Sequence, residues 1–184
     1  MGNDRSPERI ITDEIRAEAL TRPGGWIYAL DPYFESKDNV PPYGIEGAWK
    51  VDDDGCVIDH FHVNKNYKPS PITLAMPAPR DPVEAAMQLS ATGYGSDREV
   101  NRALMNATVF VRTTAPQQLP IYTDADSSFV DVFTNMEAAI VGSPEIDEIA
   151  FPSLLHALPD GILLRINPGS SITVRIPIDK LRLA

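Results

Sequence analysis

Residues Gly161 to Pro177 constrain the fold more than any other stretch. Ile162, Leu164 and Ile166 alternate with Leu163 and Arg165. Ile172, Val174 and Ile176 alternate with Thr173 and Arg175. A period of two gives each segment one buried and one partly solvated face. Between them, Asn167-Pro168-Gly169 suits a type II turn, with proline fixing φ and glycine accepting φ > 0. The spacing predicts a hairpin that pairs Ile166 with Ile172 and sets all six aliphatic residues on one side. A one-residue slip would expose them. On the other side Arg165 then lies opposite Thr173 and diagonal to Arg175, within reach of it.

A second hairpin is expected from Ile45 to Val63, turning at Asp52-Asp53-Asp54-Gly55, because Asp-Gly between apolar strands favours a hairpin turn. Thr12 or Asp13 caps a short helix to about Thr21, with Ile15 and Leu20 inward and Pro23-Gly24-Gly25 as its stop. Trp26 to Leu30 reads as a strand. Asp81-Pro82-Val83-Glu84 and Ser96-Asp97-Arg98-Glu99 each open a helix with a cap and a glutamate three residues on. Thr108 to Val111, Leu119 to Thr123, Phe129 to Phe133 and Ile149 to Phe151 read as strands. Met136 to Val141, Ser153 to Leu158 and Ile178 to Ala184 read as helical turns. Mixed elements with short hairpin connections predict an α+β fold: a largely antiparallel mixed sheet with several short helices.

Pro69, Pro71, Pro77 and Pro79 make residues 64–80 an extended connector. The expected modules are 1–75, an N-terminal helix plus β-hairpin, and 76–184, an α+β domain. Trp26 and Trp49 are expected to pack against the main core and make the first module integral. Residues 1–11 read as a polar lead-in. Their Met-Gly-Asn-Asp-Arg-Ser start also fits an N-myristoylation pattern.

Several function classes are disfavoured. A net charge of −10 opposes a nucleic-acid footprint, which needs a basic stripe, and opposes anionic membranes. No run approaches the ~20 apolar residues of a membrane span, and the charged start lacks a secretory leader's apolar core. Cys56 is the single cysteine, so no intrachain disulfide forms and a reducing, cytoplasmic setting is expected.

Three features bear on chemistry. Cys56, His60 and His62 share strand parity and are possible zinc ligands, but no fourth ligand is evident and His156 is far along the chain. Asp52 to Gly55 resembles a calcium loop only faintly, since position twelve is Val63 and the flanks are strands. Gly93-Tyr94-Gly95 precedes a helix start, without a Walker or dinucleotide pattern. On the terminal hairpin, Arg165 and Arg175 require an anionic counterpart. It is either an internal acid such as Glu145, Asp147 or Glu148, or a carboxylate on a partner. Arg165, Arg175, Asn167 and Ser170 are thus the candidate protein-binding residues.

Six segments in order resemble the SseB-like proteins, above all the actinobacterial members labelled type VII secretion system-associated. They are Arg22 to Pro32, Gly44 to Val51, Ala91 to Gly95, Leu119 to Thr123, Phe129 to Thr134, and Leu158 to Ser170 with its Ile-Asn-Pro-Gly-Ser turn. Residues 80–184 resemble the SseB N-terminal domain and 12–75 the extension of the secretion-associated group. The resemblance implies a non-enzymatic, cytoplasmic accessory factor of type VII secretion that binds a protein, as adaptor, chaperone or immunity-like factor. Its partner would be a secretion substrate or component. No cofactor, nucleic acid or membrane insertion is expected, and no catalytic residue carries over. The alternative is a metal-binding or enzymatic module centred on Cys56, His60 and His62.

Overall fold

The computed structural model describes residues 10–34, 39–113, 118–124, 127–140, 142 and 145–183. Most of the expected polar lead-in, Val141 and Ala184 lie outside these residues. The chain divides into two compact units, Met1–Ala75 and Met76–Ala184.

In the first unit, helix α1 (Asp13–Ala19) begins where the Thr12 hydroxyl accepts from the Ile15 amide at 3.4 Å. Strands β1 (Trp26–Leu30), β2 (Ile45–Val51) and β3 (Val57–Val63) follow, forming an antiparallel sheet in chain order. The Asp52–Gly55 turn uses its acid on itself: Asp52 Oδ1 accepts from the Asp54 and Cys56 amides at 3.0 and 2.7 Å. The unit's own core consists of Ala19, Ile27, Trp49 and Val51, with Ile15, Val57 and Phe61 packed on it. The Trp49 and Phe61 rings lie 4.7 Å apart. Gly47 permits this packing, because a Cβ there would sit 2.5 Å from the Phe61 ring. Two expectations are corrected. Leu20 faces water, and Trp26 is 37% exposed, on the opposite side of its strand from Ile27. Only Trp49 of the two tryptophans is a core residue, and its cluster belongs to the first unit.

In the second unit, helix α2 (Pro82–Thr92) is capped by Asp81, whose Oδ1 accepts from the Val83 and Glu84 amides at 2.9 Å each, and it ends at Gly93 with φ +76°. Glu84 reaches back to the Arg80 amide, one residue before the cap. Helix α3 (Asp97–Met105) starts with the Ser96 amide donating to Glu99 at 2.8 Å. Then come β4 (Thr108–Arg112), β5 (Tyr122–Thr123), β6 (Ser128–Val132), α4 (Met136–Ala139), β7 (Ile146–Ala150), α5 (Phe151–Ala157), β8 (Leu163–Ile166), β9 (Val174–Pro177) and α6 (Ile178–Arg182). The strand expected from Leu119 is confined to Tyr122–Thr123.

Strands β4 and β7 pair antiparallel. The other sheet runs β5-β6-β8-β9, antiparallel except for β6 with β8. A bridge with two amide bonds, Phe110 to Phe133 at 2.8 Å and the reverse at 2.9 Å, joins the two sheets. Val130 and Val132 of β6, Leu164 and Ile166 of β8, and the inner faces of α2, α3 and α5 share one core. The fold is α+β, as the alternation of elements implies.

The terminal hairpin forms with a different register. Ile166 pairs with Val174, two residues beyond Ile172. The expected turn is present, with Gly169 at φ +83° and the Ser170 amide donating to Asn167 O at 3.2 Å. The ladder starts later because Asn167 is held by β6: its amide donates to Val132 O at 2.8 Å. A shift of two preserves face parity, so Leu164, Ile166, Val174 and Ile176 all remain on the core side. It also places Arg165 directly opposite Arg175 instead of Thr173.

Candidate functional site

The two arginines share the solvated face of the four-stranded sheet. Arg165 makes a bidentate pair with Asp131 of β6, Nε to Oδ1 at 2.6 Å and Nη2 to Oδ2 at 2.7 Å. Arg175 Nη1 meets Asp124 Oδ2 at 3.0 Å. Both guanidinium groups lie over the Phe129 ring, at 4.3 and 5.3 Å. Two like charges are tolerated there because each has an acid and both lie against the same aromatic ring. The counterparts are internal, but they are Asp131 and Asp124. The anticipated Glu145, Asp147 and Glu148 are at or beside β7, in the other sheet.

The two pairs differ in kind. Asp131 is buried, and its bond raises the Arg165 pKa further against the opposing effect of burial. Arg165→Ala is therefore expected to cost about 2 kcal/mol, because it leaves a buried carboxylate without its charged donor. Urea unfolding followed by circular dichroism reads this; a loss under about 0.5 kcal/mol would mean water replaces the guanidinium. The Arg175–Asp124 pair is 48% and 39% exposed, and such pairs contribute little.

Asn167 and Ser170 do not lie on this face. Asn167 is fully buried with φ +50°. Its Oδ1 accepts from the Thr134 amide and its Nδ2 donates to Thr134 Oγ1, both at 2.8 Å. Thr134 Oγ1 in turn donates to Asp81 Oδ2 at 2.6 Å, at the start of α2. The Ser170 hydroxyl is bonded within the turn, to Asn167 O at 2.9 Å and Ile172 O at 2.6 Å. Both residues shape the loop that presents β9.

In the first unit, the His60 and His62 rings are 4.6 Å apart, and His62 meets Trp26 edge-on at 5.0 Å. Cys56 is exposed at the turn before β3. Among the described residues no three His, Cys, Asp or Glu side chains group as a metal site. His156 belongs to α5 of the other unit. The first unit also holds a buried acid that sequence reasoning passed over. Burial pushes the Asp31 carboxyl up, but the Ser70 hydroxyl, the Tyr33 and Ser70 amides and the Tyr67 hydroxyl hold it down to about 2.

Sequence reasoning also missed a cleft of about 400 Å³ in the second unit. Met87, Ser90 and Ala91 of α2 and Asp97, Val100 and Asn101 of α3 form one wall. Val174 to Pro177 of β9 and Lys180 of α6 form the other. Its lining is mostly apolar, with Asp97, Arg175 and Lys180 as its charged residues. Asp97 Oδ1 accepts from the Ser90 hydroxyl at 2.7 Å. Among the described residues β9 is the outer strand of its sheet, and the cleft runs along that edge. Arg175, a candidate from the sequence, lies where cleft and edge meet.

The arrangement defines a class: a two-unit α+β protein whose second unit carries a mostly apolar cleft along an outer strand. Residues 83–183, more than half of the chain, match the model of the SseB protein N-terminal domain, and the chain belongs to that family. No curated protein and no solved structure matches it. Among the described residues no helix is long and apolar enough to cross a membrane.

Proposed function

We propose that this is a non-enzymatic protein-binding accessory factor of bacterial type VII secretion, acting in the cytoplasm as an adaptor, chaperone or immunity-like factor. The observation that carries the binding role is the open β9 edge beside an apolar cleft. Unpaired strand edges next to apolar pockets are surfaces that take up polypeptide. The secretion role is supported by the resemblance of residues 12–75 to the extension of the secretion-associated members, from Arg22 to Pro32 and from Gly44 to Val51. The single cysteine supports the reducing compartment.

Quantitative pull-down of the tagged full chain from an actinobacterial host with a type VII system tests the reading. A secretion substrate or component is expected among the enriched proteins, and the purified pair is expected to bind directly. Deleting the accessory gene is expected to change export of that substrate. No enriched protein together with unchanged export would end the proposal.

A further inference from the structure

We propose that β9 accepts an extended peptide as a fifth strand, and that the peptide carries an acidic residue flanked on both sides by aliphatic ones. The inference rests on the protein-binding reading above and specifies the recognition. It starts from the hydrogen-bond alternation along β9. The Ile178 amide donates to Ile162 O at 3.0 Å, continuing the register that pairs Ile176 with Leu164 and Val174 with Ile166. In an antiparallel ladder hydrogen-bonded pairs alternate with non-hydrogen-bonded ones. Val174 and Ile176 therefore turn their backbone groups toward β8. Arg175, opposite Arg165, turns its N–H and C=O outward, to the side where, among the described residues, the sheet has no further strand.

An incoming strand would exchange both bonds with Arg175. Pro177, two residues on, has no N–H to donate, so the added ladder is short and centred on Arg175. Side-chain parity then fixes the chemistry. The peptide residue opposite Arg175 points to the Arg175 face, with its Cβ about 5 Å from that of the arginine. Its two neighbours point to the other face, into the cleft beside Val174, Ile176, Met87 and Val100. These surroundings are aliphatic, so aliphatic neighbours fit. An acid fits the central position because the Arg175 ion pair with Asp124 is exposed, so a closer carboxylate can displace it while the guanidinium stays on the Phe129 ring. Lys180 adds a second cation to the cleft lining.

The test uses the full chain and a fluorescein-labelled peptide, Gly-Thr-Val-Thr-Ile-Glu-Val-Thr-Ser-Gly, beside the same peptide with lysine in place of glutamate. The wild-type protein is expected to prefer the glutamate peptide by about tenfold or more, a difference of about 1.4 kcal/mol. Arg175→Glu is expected to reverse the preference, and Arg175→Gln to abolish it. Circular dichroism of each variant establishes that it is folded. Hydrogen exchange at the Arg175 amide, open in the free protein, is expected to slow about tenfold or more with saturating peptide. Equal binding of the two peptides, an unaltered preference in Arg175→Gln, or unchanged exchange at Arg175 would overturn the inference. A host partner whose binding survives Arg175→Glu also overturns it, and leaves the protein-binding reading intact. Absence of any host partner would overturn that reading while the peptide preference stood by itself.

Discussion

Asp31→Ala is expected to destabilise the first unit by about 3 kcal/mol, because it strips the acceptor from four donors at once, the Ser70 amide among them fully buried. Asp31 and Ser70 are both fully buried. Asp31 Oδ1 accepts from the Tyr33 amide at 2.9 Å. Its Oδ2 accepts from the Ser70 amide at 3.0 Å and from the Tyr67 and Thr73 hydroxyls at 2.8 Å each. These bonds tie the end of β1 to residues 67–73, a segment with no strand or helix of its own. Without the carboxylate the Ser70 amide is left in a dry site with no acceptor. Trp26 and Trp49 are the protein's only two tryptophans, and both belong to the first unit, so emission during urea unfolding reports this unit selectively. The same carboxylate predicts a pH dependence. Its pKa falls from 3.8 to about 2 on folding, so the folded state favours the ionised form. The linked stability, about 2 kcal/mol, is fully present above the unfolded value and disappears as pH falls from about 4 through 2. Asp31→Asn lacks this titration. The stability gap between wild type and Asp31→Asn should therefore narrow by about 2 kcal/mol from pH 5 to pH 2. A gap that stays constant would show that Asp31 is not held ionised.

Local chemistry made much of this legible in the sequence. The starts of α2 and α3 and the stop at Gly93 are set by side chains within a few residues, and each formed where those residues placed it. The Asp52–Gly55 turn is equally local. Features set by distant partners were not legible. The hairpin register slipped by two because Asn167 bonds to Val132 and Thr134, more than thirty residues back. Parity alone could not resist that slip, since an even shift buries the same residues. Asp131 was in view as part of a strand, but only the parallel pairing of β6 with β8 makes it the partner of Arg165. Trp26-Ile27-Tyr28-Ala29-Leu30 is apolar at both parities, so the sequence does not say which face is buried. The structure buries Ile27 and exposes Trp26, Tyr28 and Leu30. The cleft escaped notice for a related reason. Its walls come from α2, α3, β9 and α6, and an open edge exists only once strand order is known.

Asn167→Ala is expected to cost the second unit about 3 kcal/mol, from a buried amide left without an acceptor and a left-handed backbone without its favoured residue. The Asn167 side chain supplies an acceptor to the Thr134 amide and a donor to the Thr134 hydroxyl, and that hydroxyl supplies the Asp81 cap of α2. A single side chain thus links the β8 end, the segment after β6 and the first turn of a core helix. Three substitutions separate the contributions. Asn167→Gly relieves the φ of +50° and is expected to recover about 1 kcal/mol relative to alanine. Asn167→Asp keeps the acceptor for the Thr134 amide but turns the donor into an acceptor near the Asp81 carboxylate, so it is expected to remain destabilised at neutral pH. Thr134→Val breaks the link to Asp81, and its combination with Asn167→Ala is expected to show a coupling above about 1 kcal/mol in a double-mutant cycle. The second unit has no tryptophan, so the measurement is native-state amide exchange at Leu164 and Ile166, whose amides face β9 within the sheet. If Asn167→Ala protects those amides as well as the wild type does, the buried network is not what fixes the hairpin register, and the position of Arg175 at the cleft must be set by the turn residues Pro168 and Gly169 alone.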